Sequence, residues 1–297
     1  MIPVLFELGP LKVHSYGLML GIAFILGNAL MARDFKHRGW NPSIAGTITI
    51  IAVVSGLLGA KALHLIENWD EFIRRPSEAI SPGGLTWYGG FLLGLICVIW
   101  YVRRKRLPLL QFLDILGVAL MLSYGVGRIG CHLSGDGDYG APTNLPWGTI
   151  YAQGIAKPTY TLAEYLIEHP DERAAWSYDS LRVIPAGLDR MGHPMSRFDQ
   201  VTPLHPTPIY ELLLGIAGFG ILLALKKRPW PDGALFMIYL MISGVFRVAV
   251  EFLRLNPRLA FGLSEAQIFS VILFVAGFAG FVVLTRRTGA TGAPAKA

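Results

Sequence analysis

A helix crossing the hydrocarbon core of a bilayer, about 30 Å thick, needs ~20 largely apolar residues. This chain offers such runs repeatedly: Tyr16 to Ala32, Ser43 to Ile66, Tyr88 to Val102, Leu110 to Val126, Pro208 to Leu225, Gly233 to Phe252 and Glu265 to Leu284. The third is short and rich in glycine, so its ends are the least defined. Seven runs predict an all-α polytopic membrane protein with seven transmembrane helices. Composition agrees, since hydrophobic residues make up 53% of the 297 positions and charged residues only 15%, with a mean hydropathy of +0.48. Soluble domains are richer in charge than this.

The charges that remain are placed as topology signals. Arg33, Lys36 and Arg38 follow the first run, Arg103 to Arg106 the third, Lys226 to Arg228 the fifth, and Arg286 with Arg287 the seventh. Basic clusters mark cytoplasmic ends, so the N-terminus is expected outside and the C-terminus inside. A pI near 9.4 then reflects orientation, and no nucleic-acid partner is expected. Residues 1–126 would hold helices 1–4, 127–207 a small extracytoplasmic head insert, 208–285 helices 5–7, and 286–297 a flexible cytoplasmic tail. The insert is rich in Pro, Gly, Tyr and Trp, with one helical-looking piece from Thr159 to Glu168. The tail from Thr288 reads as small-residue coil. No basic leader or small-residue cleavage site accompanies the first run, which is expected to be retained as a span. Two cysteines, Cys97 and Cys131, make neither a disulfide framework nor a metal site, and no metal or cofactor is expected.

One polar stretch interrupts this pattern. Residues Gly127 to Gly140 read GRIGCHLSGDGDYG at the outer end of the fourth run. Counted from Leu110, Arg128 lies ~27 Å up the helix at 1.5 Å per residue, and Arg247, counted from Gly233, ~21 Å up the sixth. A charge at that depth costs free energy and is a functional-site candidate. Arg247, Glu251 and Arg254 follow at i, i+4 and i+7, on one helical face, where they could form a structural ion pair or a binding site. Glu211, just inside the fifth run, needs a cationic partner, and these arginines are the nearest by depth. His14, Tyr16, Trp87, Tyr88, His205 and Tyr210 reach the same level; the aromatic ones also suit an interfacial belt. Lys61 reads as a snorkelling side chain.

Arginines at the outer leaflet level suit an anionic headgroup, because the planar guanidinium holds phosphate through paired N–H bonds. The glycines of the stretch allow either close backbone approach or tight exit turns. The residues thus predict a membrane-embedded protein that binds a phospholipid headgroup, without giving a reaction. Two bolder readings are set aside. Cys131 and His132 are sequence neighbours, which seldom form a nucleophile and base pair, and Asp136-Gly137-Asp138 lacks the further spacing of a calcium loop. Asp136 and Asp138 are expected to pair with arginine or to cap a turn.

Six ordered fragments resemble the prolipoprotein diacylglyceryl transferases: Tyr16-Gly17, Gly89-Gly90, GRIG at Gly127 to Gly130, HP-x-x-x-YE at His205 to Glu211, FR-x-x-x-EF-x-R at Phe246 to Arg254, and LS-x-x-Q at Leu263 to Gln267. The resemblance implies an enzyme of the bacterial cytoplasmic membrane with seven spans and a periplasmic active site. Such enzymes move the diacylglyceryl group of phosphatidylglycerol onto the lipobox cysteine of a prolipoprotein signal peptide, releasing glycerol phosphate. It implies that Arg128 and Arg247 stabilise the departing phosphate, that Glu251 orients Arg247, and that Tyr210 with Glu211 shapes the pocket. Tyr16, Gly89, Gly90, Gly130, Cys131, Ser134, Asp136, His205 and Arg254 would complete substrate binding.

The chain also departs from the family pattern. Tyr88 stands where the family has histidine, Cys131 and Ser134 where it has asparagine, Asp136 where it has glutamate, and Ser243 where it has tyrosine. The usual base is therefore missing. Tyr88 could take that role only with a lowered phenol pKa, whereas His132 titrates near neutrality and could reach an acceptor thiol if the surrounding glycines let the chain fold back. The rival readings are a noncatalytic phospholipid-binding or transport protein, and a transferase with another acceptor.

Overall fold

In the computed structural model six of the seven apolar runs lie inside helices, most of which extend past the runs into their polar ends, and the sixth run overhangs its helix by Gly233 and Phe252, the two caps. The structure describes residues 1–9, 11–79, 84–141, 143, 145–151, 154–155, 183–188, 194–198, 203–254, 256 and 258–291. The helices are α1 (Ser15–His37), α2 (Ser43–Glu67), α3 (Trp69–Arg74), α4 (Trp87–Arg104), α5 (Leu109–Ser134), α6 (Thr207–Leu225), α7 (Ala234–Glu251) and α8 (Glu265–Thr291). Six of them, α1, α2, α5, α6, α7 and α8, are long and apolar enough to cross a membrane. Helix α4 is not among the six; its 18 residues include two tryptophan-tyrosine pairs, two leading glycines and a closing Arg103-Arg104.

Three short antiparallel hairpins interrupt the helical pattern: β1 (Val4–Leu8) with β2 (Leu11–His14), β3 (Val183–Leu188) with β4 (Pro194–Phe198), and β5 (Arg258–Ala260) with β6 (Leu263–Ser264). Strands of two to six residues fall below the length at which an apolar run signals a span, so the all-α expectation missed them. The helical reading of Thr159 to Glu168 lies outside the described residues. The tail is corrected in part, because α8 continues to Thr291 rather than ending before Thr288.

The chain divides into two units, Phe24–Ala119 and Met1–Ala23 with Leu120–Ala297. The first is organised by an aromatic and aliphatic core of Met31, Phe35, Ile48, Val98, Val102, Phe112 and Ile115, in which Phe35 meets Trp40 edge-on at 5.1 Å. Its helices α2 and α4 approach through glycine. A Cβ on Gly89 would strike the Gly59 carbonyl, and one on Gly90 would lie 2.7 Å from the Gly56 carbonyl oxygen. Without lipid-side hydrophobic gain between helices, small residues that admit close backbone contact are what hold such pairs. Gly89 and Gly90, which resemblance assigned to substrate, therefore make their closest approach to a neighbouring helix.

The second unit uses the same device. A Cβ on Gly244 of α7 would sit 2.7 Å from the Ser270 carbonyl oxygen of α8, and one on Gly215 of α6 would sit 2.9 Å from Gly125 Cα of α5. Helix α5 does not end at Val126, where the apolar run stops, but continues through GRIGCHLS to Ser134. Gly130 is tolerated there because α5 crosses α1, with Tyr16 Cα only 3.2 Å from where its Cβ would be. Gly135 ends the helix at φ +59°, donating its N–H to the Cys131 carbonyl at 2.9 Å, a left-handed closure that favours glycine.

Candidate functional site

Within the second unit, three arginines and three carboxylates from five segments meet in one buried cluster. Helix α5 supplies Arg128, the turn after it Asp138, α6 Glu211, α7 Arg247 and Glu251, and the turn after α7 Arg254. Glu211 is the centre. Its Oε2 lies 3.0 Å from Arg128 Nε and 3.8 Å from Arg254 Nη1, and its Oε1 accepts from Arg247 Nη1 at 2.5 Å and from the Tyr124 hydroxyl at 2.7 Å. Glu251 binds Arg247 Nη2 at 3.1 Å and accepts from Asn256 Nδ2 at 2.5 Å and Ser264 Oγ at 2.8 Å. Asp138 binds both Arg128 and Arg254.

Burial decides what each group can do. The Glu211 and Glu251 side chains are 2% and 0% exposed, so they cannot exist as charges without these partners. Three positive and three negative groups leave the cluster balanced. Arg254 is 6% exposed, while Arg128 and Arg247 keep 17% and 24% of their surface. The latter two are thus the guanidiniums of the cluster that keep surface outside it, each paired with Glu211. Arg247 does not snorkel; both of its terminal nitrogens face inward to carboxylates.

The turn after α5 is built to carry Asp138. Gly137 at φ +101° and the Asp138 N–H donated to Asp136 Oδ1 at 3.3 Å shape it. Gly140 then pairs with Arg254, donating to the His205 carbonyl at 2.9 Å, while Ala141 donates to the Leu253 carbonyl at 2.8 Å. Burial alone would raise the Asp138 carboxyl, but the Arg254 and Arg128 guanidiniums outweigh it and hold it at about 2. Asp136 moves the other way, pushed up by burial and by the charge of Asp138.

A depressed carboxylate stabilises the fold at pH values above its unfolded pKa, and that contribution disappears as pH falls through its folded value. Asp138→Asn should therefore cost roughly 2 kcal/mol at pH 6, from a shift between about 4 and about 2. The difference from wild type should shrink as pH drops from 4 towards 2. Thermal unfolding of both proteins across that range checks it.

The remaining sequence candidates separate by position. Tyr210 and His205 form a chain with Trp147, which donates Nε1–H to the Tyr210 hydroxyl at 2.8 Å, leaving that hydroxyl free to donate to His205 Nδ1 at 3.1 Å. Burial lowers the His205 pKa, in keeping with a neutral ring that accepts at Nδ1. Cys131 lies beside the cluster, with Sγ 3.7 Å from Arg128 Nη1, and Ser134 is buried with its hydroxyl bonded to the Cys131 carbonyl at 3.3 Å. Tyr16 and Gly130 mark the crossing of α1 and α5.

His132 requires a correction. Helix, not loop, surrounds it, so the chain does not fold back there, and its Nδ1 lies 3.1 Å from the Tyr151 hydroxyl. Tyr88, Gly89 and Gly90 belong to the other unit, on α4.

Cys131, Asp136 and Asp138 bring possible ligand atoms within 4.8 Å of one another. Two guanidiniums already bound to Asp138 are the wrong neighbours for an added cation.

Sequence reading missed Tyr124, whose ring lies 4.8 Å beneath the Arg128 guanidinium, and the cap of α8. Its position four residues before Arg128, on the same helical face, was the available signal. At the cap, Ser264 N donates to Gln267 Oε1 at 3.0 Å and Gln267 N to Ser264 Oγ at 3.3 Å, a reciprocal capping pair that also aims Ser264 at Glu251. Asn256 carried no signal of its own.

Comparison with known proteins follows the same outline. A family model described as prolipoprotein diacylglyceryl transferase matches residues 3–283. The chain is similar to the phosphatidylglycerol–prolipoprotein diacylglyceryl transferases of Clostridium tetani, 30% identical over 277 residues (93% of this chain, 94% of the relative), and Dehalococcoides mccartyi, 30% over 294 residues (96% and 94%). That of Fusobacterium nucleatum is 29% identical over 284 residues (91% and 94%).

Proposed function

The chain belongs to the prolipoprotein diacylglyceryl transferase family, and from that premise we propose that it transfers the diacylglyceryl group of phosphatidylglycerol to the lipobox cysteine of prolipoproteins. In this reading α4 is a seventh span, the N-terminus lies outside, and the site faces the periplasmic side of the bacterial cytoplasmic membrane. The carrying observation is the paired presentation of Arg128 and Arg247, the two partly exposed guanidiniums that share the buried Glu211.

The chemistry needs little more from the protein than charge placed in advance. The acceptor thiol loses its proton, and the thiolate attacks the glyceryl C3 carbon. The S–C bond forms as the C–O bond to phosphate breaks, and glycerol phosphate leaves with the electron pair. Negative charge grows on the phosphate oxygens during this step. Guanidiniums already fixed by Glu211 and Glu251 bind that charge without reorganising, which lowers the barrier. Arg254, nearly buried against Asp138, positions the turn and the neighbouring acids.

The base in this proposal is His132, whose imidazole is fixed by its hydrogen bond with the Tyr151 hydroxyl. The departures at Tyr88, Cys131, Ser134 and Ser243 motivate the second reading, a phospholipid-binding protein without turnover. Expression in a bacterial strain depleted of its own diacylglyceryl transferase separates the two. Growth and lipoprotein maturation are expected; failure of a membrane-inserted, stably expressed chain to restore either would favour binding alone.

A further inference from the structure

The β5–β6 hairpin, which joins α7 to α8, carries an outlier that the reaction does not use. Ala260 pairs with Leu263, so the turn holds two residues, Phe261 at φ +56° and Gly262 at φ +70°. Positive φ at both places is the tight hairpin geometry that normally takes Asn-Gly or Asp-Gly. Phenylalanine at the first of them is strained. It is also fully exposed, at 100%, with Leu259 at 66% and Phe252, at the end of α7, at 64%. A strained aromatic ring held out into water gains nothing from its neighbours, so the fold itself gives no reason for it.

Topology supplies the missing partner. Both flanking helices are long and apolar enough to cross a membrane, so the link between them emerges at the boundary of the hydrocarbon. Residues 259–263, Leu-Ala-Phe-Gly-Leu, carry no charge. Exposed apolar side chains also line α8 at Ile272, Val275 and Phe278, as expected of a helix that faces lipid. We infer that the hairpin tip is a membrane-seating wedge, with Phe261 and Leu259 inserted among the glycerol and upper acyl groups of the adjacent leaflet.

Phenylalanine and leucine are among the side chains that interfacial elements bury at that depth. Removal of the ring from water offsets the backbone strain, and the two-residue turn keeps it at the apex. The base of the same hairpin includes Ser264, whose hydroxyl holds Glu251, so the seated tip lies three residues from a contact that orients Arg247. The inference concerns seating in lipid and stands independently of the reaction proposed above.

Phe261→Trp in proteoliposomes tests it, read as the fluorescence added over that of wild type. The added emission should be blue-shifted, resistant to aqueous iodide, and quenched by lipids brominated near the glycerol more than by lipids brominated at the chain ends. Leu259→Trp should behave alike and serves if the first variant does not fold. Added emission at water-exposed wavelengths, quenched by iodide and untouched by brominated lipid, would overturn the inference. A blue shift appearing only when a hydrophobic signal peptide is added would assign the surface to polypeptide and overturn it equally.

Discussion

Arg247→Lys is expected to lower turnover by roughly 10²–10³-fold, the loss typical when one donor to a developing oxyanion is removed, while the protein still folds and inserts. Lysine keeps the positive charge but has one compact donor group. It cannot hold Glu211 at 2.5 Å and Glu251 at 3.1 Å and still offer a planar edge to phosphate. Arg128→Lys should behave similarly, because its Nε is committed to Glu211 at 3.0 Å and its Nη1 to Asp138. The fall should lie in kcat more than in KM, since the contact strengthens only as charge moves onto the leaving group. Arg254→Lys should instead weaken stability, as that side chain is nearly buried. Steady-state rates and unfolding temperatures of the three variants check the division. Near-wild-type rates for both Arg128→Lys and Arg247→Lys would reduce the cluster to a structural ion-pair network.

Glu211→Ala should be the most damaging single change to the fold of the cluster. Removing one partner of a buried ion pair typically costs about 3–5 kcal/mol, because the charge left behind has no water to replace it. Here the loss exposes three guanidiniums to one another and takes an acceptor from Tyr124. Glu211→Gln keeps an oxygen for Tyr124 and for one arginine, so it should unfold at a temperature between those of Glu211→Ala and wild type. Both variants should lose activity, since neither leaves Arg128 and Arg247 fixed against a common anion. Thermal unfolding in detergent orders the three proteins. A Glu211→Ala protein as stable as wild type would mean that the arginines find other anions and that Glu211 does not organise them.

Depth along the helices makes much of this cluster legible in the sequence. Counting residues from the basic ends put Arg128 ~27 Å and Arg247 ~21 Å up their helices, which made them the nearest cations by depth to Glu211, just inside the fifth run, and the three are joined by contacts of 3.0 and 2.5 Å. Helical spacing likewise gave the pair of Arg247 with Glu251. What stayed hidden was set by contacts distant in sequence. Nothing local marks Asn256 or Ser264 as donors to Glu251, and LS-x-x-Q, which entered only as a family fragment, says neither that its serine caps α8 nor that it holds Glu251.

Helix α5 was cut short because polar residues usually end an apolar run, whereas in Arg128 and Cys131 they turn inward and the helix goes on to Ser134. The paired glycines at Gly89 show the opposite ambiguity, since close backbone approach serves a ligand or a neighbouring helix equally well, and Gly59 is what lies against it. The hairpin at Phe261 escaped notice because its turn has Phe-Gly in place of the residues that announce such a turn.

The central claim, that the paired arginines serve a transfer of diacylglyceryl to thiol, is most directly tested with the purified chain, phosphatidylglycerol and a peptide bearing a lipobox cysteine. Mass spectrometry should find the peptide heavier by one diacylglyceryl group in thioether linkage, with glycerol phosphate released in equal amount. No modified peptide from folded protein, under conditions where the Clostridium tetani relative yields it, would contradict the account.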